Sequence, residues 1–384
     1  MEIAAALADR FSRRTASSSA TVLGAGNDDL APGLAWLTAL APGGWSVPTW
    51  PVEHGGRGAT PQDAGLVGRE LVSFEQPDLY PFLVGLHVIG PTLLAEASDE
   101  QQARWLRAIA SGEEIWCQLF SEPGAGSDLA NVSTRAERDG DVWRLTGQKV
   151  WSSRAHYARW GFCLARTDLD APKHAGITAF AVEMGADGVD VRPLRQMNGD
   201  AHFSEVFLDD VLVPDADRIG DVGGGWPVAR TALANERGAV GAAGTGLGSP
   251  TERLLELARS TDDQVHRDRV VSAHVDAEVA RLTVRRAGDA ARAGTPGPAG
   301  GGGSGAKLRG SRTLKETADA ALGVLGAAAL VDDGEWRTLF LTAPSISIRG
   351  GTDEIQRNIV GERVLGLPPE PRVDLDRPYR DVPH

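Results

Sequence analysis

Four stretches combine residue types that could do chemistry. In "WPVARTALANERGAVGAAG", Glu236 has Ala229, Ala232, Leu233, Ala239, Val240 and Ala243 three, four and seven residues away. Those positions share a helical face, so the carboxylate points toward packed or ligand-filled space. A lone buried Glu costs several kcal/mol unless it is paired or neutralised. It is therefore either ion-paired to a core Arg or a proton acceptor made more basic by a dry site. In "SEPGAGSD", Gly124, Gly126 and Ser127 can form a turn whose N–H groups cradle phosphate or a ring carbonyl. The spacing does not fit GxGxxG, so a Rossmann reading lacks support. In "GQKVWSSR", Trp151 sets a flat apolar ring beside Ser152 and Ser153. Such a ring can border an aromatic cofactor, although a buried strand Trp is the commoner case. Finally, "ISIRGGTDEIQ" places Gly350 and Gly351 where an apolar run meets a helical pattern, with Thr352 and Glu354 following.

Three segments must position these residues. Residues 1–113 are mostly helical in period, and Ser98 with Gln101 forms a candidate capping box for a helix over 99–110. Residues 114–218 alternate as short strands. Asp139-Gly140 predicts a hairpin, followed by "WGFCLART", "GITAFAVEM", "VDVRPLR" and "SEVFLDDVLVP". Residues 219–384 return to helix near 226–259, 264–292, 305–330 and 353–365, and "GTPGPAGGGGSGAK" (294–307) reads as an interhelical loop. The expectation is an α+β multidomain chain with an N-terminal helical domain, a middle β-barrel and a C-terminal four-helix bundle.

Bulk properties narrow the classes. The chain has 384 residues, 42% hydrophobic and 24% charged, with a net charge of -13 that argues against nucleic acid as a general partner. No apolar run reaches membrane-spanning length. The N-terminus reads as an ordinary helix, because Glu2 and Asp9 do not suit a transit peptide. Cys117 and Cys163 have no CxxC partner and sit in apolar surroundings, which suits buried thiols in a reducing, cytoplasmic setting. No histidine spacing suggests a metal.

"SEPGAGSDLA", "GQKVWSS" and "ISIRGGTDEIQRNIVGERVLGLP", in that order, resemble the acyl-CoA dehydrogenase flavoproteins. "GWSVPTWPVEHGGRG" and "CLARTD…APKHAGITAFAVEM" fit as well, so the resemblance covers nearly the whole chain. It implies an FAD enzyme that removes the proton alpha to a thioester carbonyl while the beta hydrogen leaves as hydride. Gln118, Phe120 and Ser121 then run along the flavin ring, Trp151 and Ser153 lie at the isoalloxazine, and Ser127 contacts the acyl-CoA as well as the cofactor segment. Thr352 and Glu354 belong to the FAD phosphate or adenosine segment. Glu354, being acidic, is assigned to backbone or ribose. Gly351 is the glycine that the cofactor-and-substrate turn requires.

Many relatives carry their catalytic carboxylate at the position of Gly350, which has no side chain. Its N–H can still donate to the thioester oxygen, an interaction worth about 2.7–4 kcal/mol in comparable sites. A branch of the family places its base on the helix that here carries Glu236, just before an Arg that Arg237 matches. The expected catalytic pair is thus Glu236 and Gly350. Glu362 is a third carboxylate, expected to face solvent or a subunit contact. Two alternatives stay open: a subunit that lacks the base and depends on a partner, and a flavin oxidase or monooxygenase on the same scaffold. The resemblance further implies an acyl-CoA or acyl-carrier substrate, an electron-transfer flavoprotein as acceptor, and a homodimer or homotetramer, or a heteromer. "DDQVHRDRVVSAH" lacks the family's Arg-x-x-Phe-Gly, and Arg267 or Arg269 is the expected substitute.

Overall fold

A computed structural model describes residues 3, 7–8, 10–13, 29–243, 250–294, 301–331, 334–372 and 374–382. The chain separates into two compact units. One comprises residues 1–18, 26–236 and 372–384, and the other 19–25 and 237–371.

The first unit begins with helices α1 (Ala31–Leu40), α2 (Pro61–Val72) and α3 (Tyr80–Val84). A wide π-turn over Gly85–Ile89 runs from α3 into α4 (Gly90–Glu96). Next comes α5 (Asp99–Ser111), which the expected capping box opens: the Gln101 N–H donates to Ser98 Oγ, and the Ser98 N–H donates to Gln101 Oε1. Gly112 ends it in the left-handed region at φ 79°. Gln101 also donates through Nε2 to the carbonyls of Ala216 (2.8 Å) and Arg218 (2.7 Å), which fixes α5 to the far end of the β segment.

Eight strands follow: β1 (Trp116–Leu119), β2 (Arg135–Asp139), β3 (Val142–Ser153), β4 (Trp160–Arg166), β5 (Ile177–Glu183), β6 (Val189–Leu194), β7 (Phe203–Pro214) and β8 (Arg218–Ile219). Their order in the sheet is β6-β7-β3-β2-β4-β5-β8, with β1 pairing parallel to β4. The hairpin expected at Asp139-Gly140 joins β2 to β3, and Gly140 takes φ 63° there. All seven residues of β4 are buried, which explains why "WGFCLAR" is continuously apolar until Arg166. Helices and sheet share one core. Trp105 of α5 meets Trp116 of β1 edge-on at 5.4 Å, and Trp116 stacks on Trp160 of β4 at 5.8 Å.

Helix α6 (Gly225–Ala243) follows the β segment. Its Ala229 and Ala232 are buried in that same core. The second unit contains α7 (Pro250–Leu257), α8 (Gln264–Arg292), α9 (Gly301–Leu325), α10 (Glu335–Thr342) and α11 (Asp353–Ile359). Leu254, Val270, Ala273, Ala318, Ala321, Trp336 and Leu339 form its core. Two sequence expectations need correction. The stretch 301–307, read as loop on its glycine content, is the first part of α9. Burial of Ser304 and the Lys307–Asp353 ion pair at 2.8 Å give it tertiary contacts that outweigh the roughly 1 kcal/mol per glycine of unfavourable propensity. Residues 295–300 lie outside the described residues. Helix α10 was not foreseen, because eight residues are too few for a periodic signal.

Removing the Ser98 hydroxyl tests the cap. Ser98→Ala should lower stability by about 1 kcal/mol, read from urea unfolding, and should leave the unfolding slope unchanged.

Candidate active site

Strand β3 carries the most unusual backbone in the first unit. Its pairing with β7 slips between Lys149 and Ser152, and Trp151 sits in the slip at φ 60°. Strand alternation is broken there: consecutive Lys149 and Val150 are both buried, while Trp151 is 60% exposed. Its indole meets the ring of Phe203 edge-on, at 6.1 Å. A bulky residue with positive φ is strained, and a large exposed apolar ring gains nothing by it in water. This is not the buried strand Trp of the commoner case. It is a flat face held open by a bulge, with half-buried Ser153 two residues on.

The bulge is anchored on both sides. Before it, Lys149 is fully buried and its ammonium meets Glu122 Oε1 at 2.7 Å. Lys149 also donates to the carbonyls of Leu164 (2.7 Å) and Phe120 (3.2 Å). Glu122 accepts from the Ser133 N–H (2.6 Å), the Ser133 hydroxyl (2.8 Å) and the Thr134 N–H (3.0 Å). Burial alone would push the Glu122 carboxyl up, but the adjacent Lys149 charge and these hydrogen bonds hold it down at about 2. After the bulge, buried Arg154 lies at φ 54°. It donates to the Tyr157 hydroxyl at 2.7 Å, covers the Tyr80 ring at 4.8 Å and has the Asp78 carboxylate at 3.9 Å.

The Lys149 bond to Phe120 brings the segment of Gln118, Phe120 and Ser121 beside β3, and the Val150 N–H donates to the Ser121 carbonyl at 2.9 Å. Phe120 is buried and Ser121 half-buried. Ser127 is exposed beyond a short turn closed by mutual Glu122 and Ala125 backbone bonds. A Cβ at Gly124 or Gly126 would meet nothing within 4 Å. Gln118 links this segment to α6, since its Nε2 donates to Glu236 Oε2 at 3.3 Å. Glu236 is half-buried. Its neighbour Asn235 donates to Thr92 Oγ1 at 3.2 Å, and Thr92 donates to the Val88 carbonyl at 2.6 Å. The carboxylate singled out from the sequence therefore lies beside Gln118 of the expected flavin segment. The side chain of Arg237 lies outside the described residues.

Sequence reasoning did not find the Glu122–Lys149 pair, Arg154 or the π-turn. The first two stand inside motifs already quoted, "SEPG" and "WSSR". The missing signal was that charged residues among strand-forming neighbours have to be paired. Cys117 and Cys163 are buried free thiols. Burial pushes both up, Cys163 to about 11, so neither is a ready nucleophile.

In the second unit, Gly350 and Gly351 take φ 65° and 82°. Thr352 caps α11 by accepting from the Ile355 N–H at 3.2 Å. Gln356 Nε2 donates back to the Gly350 carbonyl at 3.2 Å, and a Cβ on Gly351 would come within 2.6 Å of that nitrogen. Asp353 is buried against Lys307. Burial opposes its charge, but hydrogen bonds from Lys307, Ser347 and Ser311 hold its carboxyl below the ordinary value. Glu354 is exposed and pairs with Arg357 at 3.0 Å. Arg267 pairs with Asp262 at 3.6 Å, and Arg269 pairs with Asp319.

Family models described as the N-terminal, middle and C-terminal domains of acyl-CoA dehydrogenase match residues 7–113, 117–211 and 223–365. Acyl-CoA dehydrogenase FadE34 of Mycobacterium tuberculosis is 45% identical over 86% of this chain, which spans 46% of that relative's length. Acyl-CoA dehydrogenase IpdE1 of the same organism is 40% identical, with 88% of each chain covered. A solved structure described as "Tcur3481-Tcur3483 steroid ACAD" is similar with a TM-score of 0.78 and 28% identity over 91% of each chain.

Two measurements test the forces that hold these segments. Glu122 has a folded value of about 2 against an ordinary 4.5. Its contribution is therefore complete above about pH 4.5 and is lost as pH falls toward 2. Glu122→Gln should flatten that acid limb in urea unfolding between pH 7 and 2.5. It should also cost about 3–5 kcal/mol at neutral pH, because Lys149 is left buried and unpaired. In the glycine turn, Gly350→Ala should cost only about 1–2 kcal/mol for its left-handed backbone. Gly351→Ala should cost more, since it also displaces Gln356. Equal losses in thermal melts would contradict this geometry.

Proposed function

Because this chain belongs to the acyl-CoA dehydrogenase family, we propose that it carries out FAD-dependent α,β-dehydrogenation of an acyl-CoA, with Glu236 as the base. The observation that carries the assignment is the Glu236 carboxylate on α6 beside Gln118, together with a glycine at position 350. Gln118 Nε2 holds one carboxylate oxygen in place. Apolar Ala229, Ala232 and Leu233 line the same helix face. The proton removed from the α carbon passes to this carboxylate as the α,β double bond forms.

The residues of the first unit fit FAD. The strained, open Trp151 face and the adjacent Ser153 hydroxyl suit one side of a flavin ring, and Gln118, Phe120 and Ser121 would border it. When bound, FAD supplies the acceptor for the hydride leaving the β carbon. Ser127, exposed at the end of an open glycine turn, is proposed to meet the CoA moiety. Thr352, Glu354 and Gly351 are assigned to cofactor and substrate contacts of the glycine turn, and the Gly350 N–H to the thioester oxygen. Arg237 is assigned to the substrate on the same family grounds. A bulky polycyclic acyl group is the proposed substrate, supported by the similarity to a solved steroid ACAD. An electron-transfer flavoprotein is the proposed acceptor.

A second reading is a heteromer in which a partner chain completes the enzyme. The paired name Tcur3481-Tcur3483 supports it, as does α8, where Val271, Val275 and Leu282 are exposed along one face.

Anaerobic mixing with acyl-CoA distinguishes the readings. The purified chain should lose its flavin absorbance, and Glu236→Gln should slow that bleaching at least about a hundredfold. Bleaching as fast as in the parent would place the base elsewhere. A yellow chain that no thioester bleaches alone, but that becomes active with a second subunit, would establish the heteromeric reading.

A further inference from the structure

We infer that His87 is a specificity residue that reads an oxygen substituent on the acyl skeleton of the substrate, away from the thioester. The inference rests on the assignment of Glu236 and Gln118 to the reacting end of an acyl thioester.

His87 occupies the middle of the π-turn between α3 and α4, where the Gly90 N–H reaches back to the Gly85 carbonyl. A π-turn costs hydrogen-bond quality and is found preferentially where a side chain has to be re-aimed for function. Its neighbours Leu86 and Val88 are buried, while His87 is exposed. Yet protein surrounds the ring closely enough that loss of hydration lowers its pKa below the ordinary 6.5. The imidazole is thus accessible to solvent yet set close against neighbouring protein. Among the described residues no hydrogen bond or ion pair engages the imidazole. Along the helix it is bordered by half-buried Leu83, Val84, Pro91 and Leu94. An uncharged imidazole set alone in an apolar strip can donate one hydrogen bond and accept one. It therefore suits a largely hydrocarbon ligand with a single ketone or hydroxyl.

The direction of the strip selects the occupant. The π-turn packs against β1, which carries Gln118. The Val88 carbonyl next to His87 holds Thr92, and Thr92 accepts from Asn235, the residue before Glu236. The turn that carries His87 is thus joined through Thr92 to the helix that presents the proposed base. A ligand whose α carbon meets Glu236 would lay its acyl group along this strip.

The test uses the FAD-loaded full chain and matched saturated acyl-CoAs. Cyclohexylpropanoyl-CoA is compared with its ring-ketone analogue, and longer acyl-CoAs with counterparts carrying a ketone or hydroxyl beyond the β carbon. Affinities come from calorimetric titration and turnover from anaerobic bleaching. The parent should bind at least one oxygenated member about tenfold more tightly than its hydrocarbon match. His87→Leu should remove that preference and tighten the hydrocarbon member, while His87→Gln should keep part of it. The inference is overturned if the parent shows no oxygen preference anywhere in the panel, if it binds no member, or if His87→Leu retains the preference. A preference that His87→Leu abolishes, in a chain that no thioester bleaches, would refute the dehydrogenase reading and leave His87 as a binding determinant. Bleaching that depends on Glu236, with a preference indifferent to His87, would do the reverse.

Discussion

The first unit depends on one pair of buried charges. Glu122 and Lys149 are 4% and 0% exposed, and each alone in that environment would cost several kcal/mol. Together they are saturated. The carboxylate takes three donors from Ser133 and Thr134, and the ammonium takes two carbonyls from Phe120 and Leu164. Four backbone stretches that are distant in sequence are thereby pinned at one point. The placement of everything proposed to face the flavin ring follows from that point. Phe120 and Ser121 are held from one side, and Trp151 is held two residues beyond Lys149. Arg166 repeats the device without a carboxylate. It is buried, donates to the carbonyls of Ala130, Val132 and Lys173, and stacks on Tyr379 at 3.8 Å. Replacing either pair member with a neutral residue would disturb the Trp151 bulge and the core together.

From this anchor the polar connections continue in one direction. Arg154, just past the bulge, reaches Asp78 and Tyr80 at the start of α3. Helix α3 runs through the π-turn into α4, where Thr92 accepts from Asn235. The bulge that carries Trp151 and the helix that carries Glu236 are therefore linked through an intervening helical segment, by an ion pair and a cation–π contact at one end and a hydrogen bond at the other. Such a chain of contacts favours fixed separations, which proton abstraction needs, since a misplacement of about 1 Å can cost on the order of a hundredfold in rate. It also explains why a strained Trp and a strained Arg are tolerated three residues apart.

What the sequence disclosed follows the range of the interactions. The capping box at Ser98 and the hairpin at Asp139-Gly140 are local, and both were legible. Glu236 was legible because a charge with apolar neighbours at helical spacing is a local contradiction that needs a distant resolution. The resolution itself, Gln118, lies 118 residues away and was not visible as a partner. For Trp151 the residues alone left two readings, a ring bordering an aromatic cofactor and a core Trp. The core was the commoner of the two, and its exposure could not be foreseen because a register slip leaves no mark in composition. The helix at 301–307 was misread for the opposite reason. Its glycines are a strong local signal, and the Lys307–Asp353 pair that overrules them spans 46 residues. His87 went unnoticed because a π-turn shifts the helical phase by one residue, so its exposure cannot be read from a 3.6-residue period.

The two glycines at 350 and 351 look alike in sequence, but different forces act on them. At Gly351 a side chain is excluded by both backbone and space, since its Cβ would collide with the Gln356 amide that closes the turn. At Gly350 only the left-handed backbone opposes a side chain, and the space around it is open. Packing therefore does not forbid a carboxylate there. The strain of about 1–2 kcal/mol is small beside what a catalytic base contributes to a rate. A position where an acid could be accommodated and none is present is what is expected if the proton acceptor stands elsewhere in the sequence. Of the carboxylates considered, Glu362 lies in the π-turn after α11 with no such polar support among the described residues, whereas Glu236 already has an amide donor holding one of its oxygens.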